Sequence, residues 1–119
     1  MKNYFSVAEI TCPCGCGMVW EESFHYTMNK IREAYGFPIM INSGARCEIY
    51  DKHIGGKGAH ATGKAADVAC SGLKAYKLYA IALQFGVTGL GVKQNGPHEG
   101  RFLHMDTTEG KTRPFVWSY

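Results

Sequence analysis

Two stretches of the chain carry apolar residues at the spacing of an amphipathic helix. The first covers residues 21–35 and ends at Gly36, and its predicted buried positions are Phe24, Met28, Ile31 and Tyr35. The second runs from the capping residue Ser71 to about residue 85, and its predicted buried positions are Leu73, Tyr76, Ala80 and Leu83. A shorter helix is predicted to begin at Ser6, because Ser6 and Glu9 have the spacing of a capping box.

Four shorter apolar runs predict β-strands. They cover residues 38–42, 64–70, 87–93 and 101–106, and segments that contain glycine or proline separate them. A turn at Asn95-Gly96-Pro97 joins the last two runs, which indicates an antiparallel hairpin. The intervening segments predict a turn at 43–47 and a glycine-rich loop at 53–63, and the aromatic C-terminal segment RPFVWSY is expected to pack back on the body.

The order of these elements favours an α+β fold, in which a small antiparallel sheet is flanked by helices. Helices and strands do not alternate regularly along the chain, as they would in a doubly wound parallel sheet. The length of 119 residues fits one domain, and we expect residues 1–119 to form it without a linker or an internal repeat.

Composition and charge exclude some functions. A net charge of +3 is too small to indicate nucleic-acid binding, although it would not hinder approach to an anionic polymer such as a bacterial cell wall. No stretch is apolar for long enough to cross a bilayer, and the opening MKNYFSVAEITCP lacks the apolar core of a secretory signal. We therefore expect cytoplasmic synthesis, no membrane or nucleic-acid partner, and access to any wall substrate only after release.

One carboxylate stands in a small, apolar predicted strand. Asp67 lies within AADVA, and a lone buried carboxylate is costly unless something pairs with it. His60 precedes it across a turn at Gly63, and His104 lies on the last predicted strand, so both can approach it. Two histidines and one aspartate are ligands that Zn²⁺ accepts, and a catalytic zinc keeps a fourth position for water. A zinc ion on these three residues would neutralise Asp67 and lower the pKa of bound water to about 7.

Four motifs that contain these residues occur in order: SGARC at 43–47, HATGKAAD at 60–67, FLHMD at 102–106 and the terminal RPFVWSY. The set resembles the zinc D,D-peptidases of the M15 family, whose pattern includes SGxRC, HxxGxAxD and a late HxD. The short phage and bacterial enzymes that cut peptidoglycan peptides are the branch it resembles most. The opening FSVAEITCPCGCG also resembles the family's first segment, so the similarity covers nearly the whole chain.

The resemblance implies a hedgehog/D,D-peptidase-like fold and a Zn²⁺ cofactor held by His60, Asp67 and His104. It also implies that Arg46 binds the substrate's carboxylate or polarises the scissile carbonyl. A planar guanidinium that never loses its charge suits either task. The alternative for Arg46 is an ordinary surface salt bridge.

The general base is a separate question. Several M15 branches place an acidic residue three positions before the last zinc histidine, where this chain has Arg101. Asp106 is the first candidate because it shares a strand face with His104. The alternative for Asp106 is a partner that orients a zinc-binding histidine. Glu99 and His98, in a glycine-flanked turn, are further candidates, with solvated turn residues as their alternative.

Five cysteines, at positions 12, 14, 16, 47 and 70, are an odd number, which argues against a complete disulfide framework. Cys12, Cys14 and Cys16 in CPCGCG could hold a structural zinc together with Cys47 or Cys70. Reduced thiols that serve folding are the interpretation we rank first.

We therefore predict a monomeric zinc metallopeptidase that hydrolyses amide bonds in peptidoglycan stem peptides. D-Ala-D-Ala carboxypeptidase and cross-link endopeptidase activities both fit, as does a phage or prophage lysin that acts on the cell wall. One alternative is a wall-binding or phage-structural module that keeps zinc without turnover, which the basic residue Arg101 motivates. Another is an interaction module in which the N-terminal cysteines are the functional part.

Overall fold

The computed structural model describes residues 2–110 and 112–119. Over those residues it has four helices, which are α1 (Val7–Ile10), α2 (Glu22–Tyr35), α3 (Glu48–His53) and α4 (Gly72–Gln84). The same residues form five strands, which are β1 (Met40–Ser43), β2 (Ala65–Ala69), β3 (Gly89–Lys93), β4 (Phe102–Asp106) and β5 (Phe115–Ser118). Short 3-10 turns lie at His60–Thr62 and His98–Gly100. The predicted α+β class is confirmed.

The five strands form one sheet in the order β1-β2-β4-β3-β5. β2 pairs antiparallel with β1 and with β4, and β3 pairs antiparallel with β4 as the predicted hairpin. The C-terminal segment does pack back on the body, but as strand β5, which lies parallel to β3. The sheet is therefore mixed, because the tail returns along the edge in the same direction as β3.

Helices α2 and α4 cover one face of the sheet. The predicted buried face of α2 is confirmed, because Phe24, Met28 and Ile31 are fully buried and Tyr35 is nearly so. These side chains form a single apolar cluster with the residues of β2 and β4 that point the same way, such as Val68. Successive strand residues alternate between faces, so the remaining strand positions form the opposite face of the sheet.

The predicted inward face of α4 is wrong. Leu73, Tyr76 and Leu83 are 67%, 75% and 52% exposed, and Ala80 is exposed as well. The buried residues of α4 are Ala75, Leu78 and Ala82. Two apolar stripes run along this helix, and the one with two alanines faces the core, since small side chains permit close approach to α2.

Helix α3 was not predicted. It begins after Cys47, whose Sγ accepts a hydrogen bond from the Tyr50 amide (3.4 Å), and it ends at His53. Six residues are too few to give a periodic apolar signal. The predicted capping box of α1 is present, with Ser6 and Glu9 each bonding the other's backbone amide. None of the helices within residues 2–110 and 112–119 has the length and apolar character needed to cross a membrane.

Candidate metal centre and active-site cleft

The candidate zinc ligands lie on the face of the sheet that the helices leave open. The strand register aligns one residue from each strand: Ser43 pairs with Asp67, Asp67 with His104, His104 with Gly91, and Gly91 with Trp117. Asp67 and His104 are therefore direct neighbours on adjacent strands. The FLHMD strand and the AADVA strand meet through this pairing.

His60 completes the group from the 3-10 turn that precedes β2. Its Nε2 lies 3.3 Å from Asp67 Oδ1, and His104 Nδ1 lies 3.0 Å from the same oxygen. One donor atom from each of the three residues falls within 4.8 Å of the others. Both histidines are buried and Asp67 is mostly so. The structure thus brings together the three predicted ligands.

Each histidine is oriented by a hydrogen bond on the ring nitrogen that faces away from Asp67. His60 Nδ1 lies 2.8 Å from the Gly44 carbonyl oxygen, which can only accept, so Nδ1 carries the proton and Nε2 faces Asp67. His104 Nε2 lies 2.7 Å from Asp106 Oδ2, which leaves Nδ1 facing Asp67. Metal-binding histidines characteristically donate their other ring N–H to a carbonyl or a carboxylate. The donor set therefore fits Zn²⁺.

The charges in this group shift its pKa values. Burial opposes ionisation of Asp67, but hydrogen bonds from His104 and His60 outweigh it and hold the pKa of Asp67 well below its usual range. Burial also opposes protonation of His104, but its contacts with Asp106 and Asp67 outweigh that effect and raise its pKa. A metal ion would replace the proton between His104 Nδ1 and Asp67, while His104 Nε2–H would still donate to Asp106.

Arg46 reaches the same group from the turn after β1. Its Nη2 donates to Asp67 Oδ2 (3.4 Å), its Nη1 to Asp51 Oδ1 (3.0 Å) and its Nε to Ser43 Oγ (2.9 Å). Asp51 on α3 is only 2% exposed and also accepts from the Gly58 amide (2.9 Å). Arg46 is thus held in a fixed position beside the candidate ligands, as its predicted role requires.

Comparison with known proteins agrees with this geometry. A family model described as peptidase M15 matches residues 3–106, most of the 119-residue chain. The chain belongs to the peptidase M15 family. This membership supports a zinc metallopeptidase with a peptidoglycan-related substrate. No curated protein matches the chain.

Asp106 in this M15 peptidase is completely buried and fully hydrogen-bonded. Besides His104, it accepts from the amide and hydroxyl of Thr108 (3.2 and 2.9 Å), and Arg113 forms a fork to its two oxygens (2.9 Å each). These bonds outweigh the effect of burial and lower its pKa well below the usual range. They match the alternative role for Asp106, the orientation of a zinc-binding histidine.

Gly89 leaves space for the ion pair between Asp106 and Arg113. Gly89 lies opposite Asp106 in the sheet, and a Cβ there would overlap both the Asp106 carboxylate and the Arg113 guanidinium. The strand sequence GLGVK therefore serves the site as well as the sheet, since any larger residue would displace the ion pair.

Glu99 and His98, the other candidates for the general base, lie away from the three candidate zinc ligands. Both are exposed on the 3-10 turn after β3, and His98 Nδ1 lies 3.5 Å from Ser71 Oγ. Within the described residues, neither lines the cleft above the zinc ligands. The Arg101 side chain donates to the Gly96 carbonyl on the surface.

The cleft of the M15 peptidase has a volume of about 870 Å³. Arg46, His60, Asp67 and His104 form part of its lining, with aromatic residues of the C-terminal segment beside them. Phe102 and Tyr119 are in contact, with ring centroids 5.1 Å apart, and Trp117 lies 5.1 Å from the His104 ring. Glu109 adds an exposed carboxylate to the lining.

The sequence interpretation missed Asp51 and Arg113. Asp51 lies between motifs, in the helix that was not predicted, five positions after Arg46. Arg113 belongs to the quoted C-terminal motif but lies beyond the matched residues 3–106. Its role follows only from the return of β5 to β3, for which no local pattern exists.

Proposed function

We propose that this M15 peptidase hydrolyses amide bonds in the stem peptides of bacterial peptidoglycan. More specifically, we propose a lysin that acts either as a D,D-carboxypeptidase or as a cross-link endopeptidase. We also propose that it is monomeric, is made in the cytoplasm and acts on the cell wall after release. The observation that carries the proposal is the convergence of His60, Asp67 and His104, with donor atoms within 4.8 Å, beside Arg46 in one cleft.

The three ligands define what the cofactor contributes. A zinc ion held by His60, Asp67 and His104 would supply a Lewis acid for the scissile carbonyl and lower the pKa of a water molecule. The chain's own contribution is to orient the ligand nitrogens of His60 and His104 through hydrogen bonds to the Gly44 carbonyl and the Asp106 carboxylate.

Arg46 is proposed to hold the substrate. Its Nη1 and Nη2 bond two aspartates, so the guanidinium is pre-oriented before substrate binds. A substrate carboxylate could pair with Arg46 once a metal ion neutralises Asp67. A carboxypeptidase would use Arg46 to bind the terminal carboxylate, whereas an endopeptidase would use it to polarise the scissile carbonyl.

Proton transfer needs a carboxylate that can reach the attacking water. Asp106 remains the predicted general base, but every one of its hydrogen bonds is directed to the protein. Glu109 is exposed and lines the cleft, so we propose it as the second candidate for the base. If Asp106 orients His104 instead, its loss lowers zinc affinity, whereas loss of a general base lowers turnover at full zinc occupancy.

Mass spectrometry of purified peptidoglycan, incubated with the protein, tests the function. We expect new peptide termini that disappear with a zinc chelator and in Asp67→Ala. They should persist in Glu48→Ala, which changes an exposed carboxylate that pairs with the exposed Lys52. The masses of the products identify the bond: loss of one D-alanine indicates a carboxypeptidase, separation of cross-linked dimers an endopeptidase, and cleavage after L-alanine a third specificity.

The same experiment can refute the proposed peptidase activity. Protein that carries zinc at the histidine site and yet releases no peptide from walls of several cross-link types would contradict the peptidase proposal. Cosedimentation of that protein with intact walls would then support the wall-binding alternative. Parallel assays of Asp106→Asn and Glu109→Gln, each at saturating zinc, assign the base to the variant whose kcat falls.

A further inference from the structure

A second group of metal-ligand side chains lies away from the cleft. Cys12, Cys14 and Cys16 come from the loop between α1 and α2, and Cys47 comes from the turn that follows β1. We refer to these four as the four-cysteine cluster. One sulfur atom from each falls within 4.8 Å of the others. The fold therefore selects Cys47, and not Cys70, as the fourth member.

We propose that the four-cysteine cluster binds a second zinc ion, as a closed structural site. Zinc takes four thiolates tetrahedrally at about 2.3 Å, which places the sulfurs about 3.8 Å apart. The Cys12 and Cys14 sulfurs are 3.4 Å apart and the Cys14 and Cys47 sulfurs 3.6 Å apart, close to that separation. Both distances far exceed the ~2.05 Å of a disulfide bond, and all five cysteines are free thiols.

The loop is held in the shape that such a site needs. Thr11 bridges Val19, the Cys12 amide donates to the Met18 carbonyl (2.8 Å), and these contacts close the loop at its base. Gly15 and Gly17 adopt φ values of +86° and +89°, which other residues rarely adopt. Gly15 lets the chain turn between Cys14 and Cys16, and Gly17 lets it turn again directly after Cys16, so that the cysteine sulfurs gather at one centre.

Backbone amides donate hydrogen bonds to two of the sulfurs. The Cys47 amide donates to Cys12 Sγ (3.2 Å), and the Tyr50 amide donates to Cys47 Sγ (3.4 Å). Such bonds stabilise thiolates and orient them as ligands.

The position of Cys47 connects this site to the cleft. Cys47 directly follows Arg46 and is the N-cap of α3, the helix that carries Asp51. A metal ion on the cluster would tie the N-terminal loop to the turn that holds Arg46. The expected role is therefore structural, and the site stands independently of any activity on peptidoglycan.

Metal content of the full chain tests the proposal. Protein purified with a reductant and dialysed with zinc should carry two zinc ions per chain by native mass spectrometry and elemental analysis. Cys16→Ser, which changes an exposed thiol, and Cys14→Ser should each lower the content to one. Asp67→Ala should also lower it to one, and the Cys14→Ser/Asp67→Ala variant should carry none.

Cys70 offers the matched control. It lies outside the cluster, and burial raises its pKa to about 11, so Cys70→Ser should keep two zinc ions. Cobalt substitution gives a second readout, since thiolate-to-cobalt charge-transfer absorption should appear in wild type and Asp67→Ala but not in Cys14→Ser. Circular dichroism identifies any variant that fails to fold, and Cys16→Ser then decides the result.

One zinc ion per wild-type chain, lost in Asp67→Ala and retained in Cys14→Ser and Cys16→Ser, would overturn the proposal. Failure of the histidine site gives the opposite pattern, one ion retained in Asp67→Ala. The two outcomes are therefore distinguishable without any assay of cleavage.

Discussion

The fork between Arg113 and Asp106 is the contact in the candidate site whose removal has the most predictable cost. Arg113→Met keeps an unbranched apolar stem but removes the guanidinium and with it both hydrogen bonds, which are 2.9 Å each. Asp106 has no exposed surface, so water cannot replace the lost donors. Thr108 and His104 still bond the carboxylate in the variant.

Breaking a buried ion pair by removing one partner costs about 3–5 kcal/mol. The bonds that Asp106 retains place this case at the lower end, so we expect about 3 kcal/mol less stability. In a chain of this length that corresponds to a decrease in Tm of about 10 °C. The partial exposure of the Arg113 side chain, 14%, does not change this figure, because the uncompensated charge is the buried one.

Urea unfolding of metal-free, reduced protein measures the loss without any contribution from zinc affinity. Arg101→Met is the matched control, because Arg101 donates only to the exposed Gly96 carbonyl, and it should cost no more than about 1 kcal/mol. The Asp106→Asn/Arg113→Met cycle should give a coupling energy of at least about 1 kcal/mol, because the two groups are in contact.

The pH dependence of stability gives a second test of the Arg113–Asp106 ion pair. The pKa of Asp106 is lowered in the folded protein, so its ionised form contributes stability above the unfolded pKa of about 3.9 and loses it as the pH falls further. The stability difference between wild type and Arg113→Met should therefore be full at neutral pH and shrink in acid. A loss below about 1 kcal/mol at neutral pH, or one that grows in acid, would refute the reasoning.

Three other predictions concern the same face of the sheet. Asp106→Asn should weaken zinc binding about 10- to 100-fold in a chelator competition assay, since the group that orients His104 loses its charge; unchanged affinity would contradict an orienting role. Zinc content of the histidine site, measured in Cys14→Ser by equilibrium dialysis, should fall as the pH drops from about 8 to about 5.5, because the raised pKa of His104 makes protons compete with the metal. Gly91→Ala should lower the free energy of unfolding by about 1–3 kcal/mol in thermal unfolding, because its Cβ would lie 2.6 Å from Trp117 Nε1. Gly100→Ala is the control, since a Cβ there meets open space, and it should change that free energy by no more than about 0.5 kcal/mol.

Local signals in the sequence were sufficient for much of the fold. The spacing of Phe24, Met28 and Ile31 predicted both α2 and its buried face, and the strands followed from short apolar runs between turn residues. Such signals are reliable where one apolar stripe exists. Helix α4 has two, and only packing against α2 decided that Ala75 and Ala82 face inward, while Leu73 does not.

The candidate metal ligands were also predictable, since a carboxylate within AADVA needs a partner of opposite charge. Which partner Asp106 has was not predictable, because Arg113 reaches it only when β5 pairs with β3. The choice between Cys47 and Cys70 as the fourth cysteine was equally open, since both are distant along the chain from CPCGCG.

The sequence by itself thus determined the residue types of both candidate metal-ligand sets, the element order and the family resemblance. Only the tertiary structure decided which donors meet and which carboxylate is satisfied by the protein. The physical reason is that helix periodicity, capping and turn preferences are energies of neighbouring residues. Strand register and side-chain packing, in contrast, join residues such as Asp67 and His104 that are far apart in the chain.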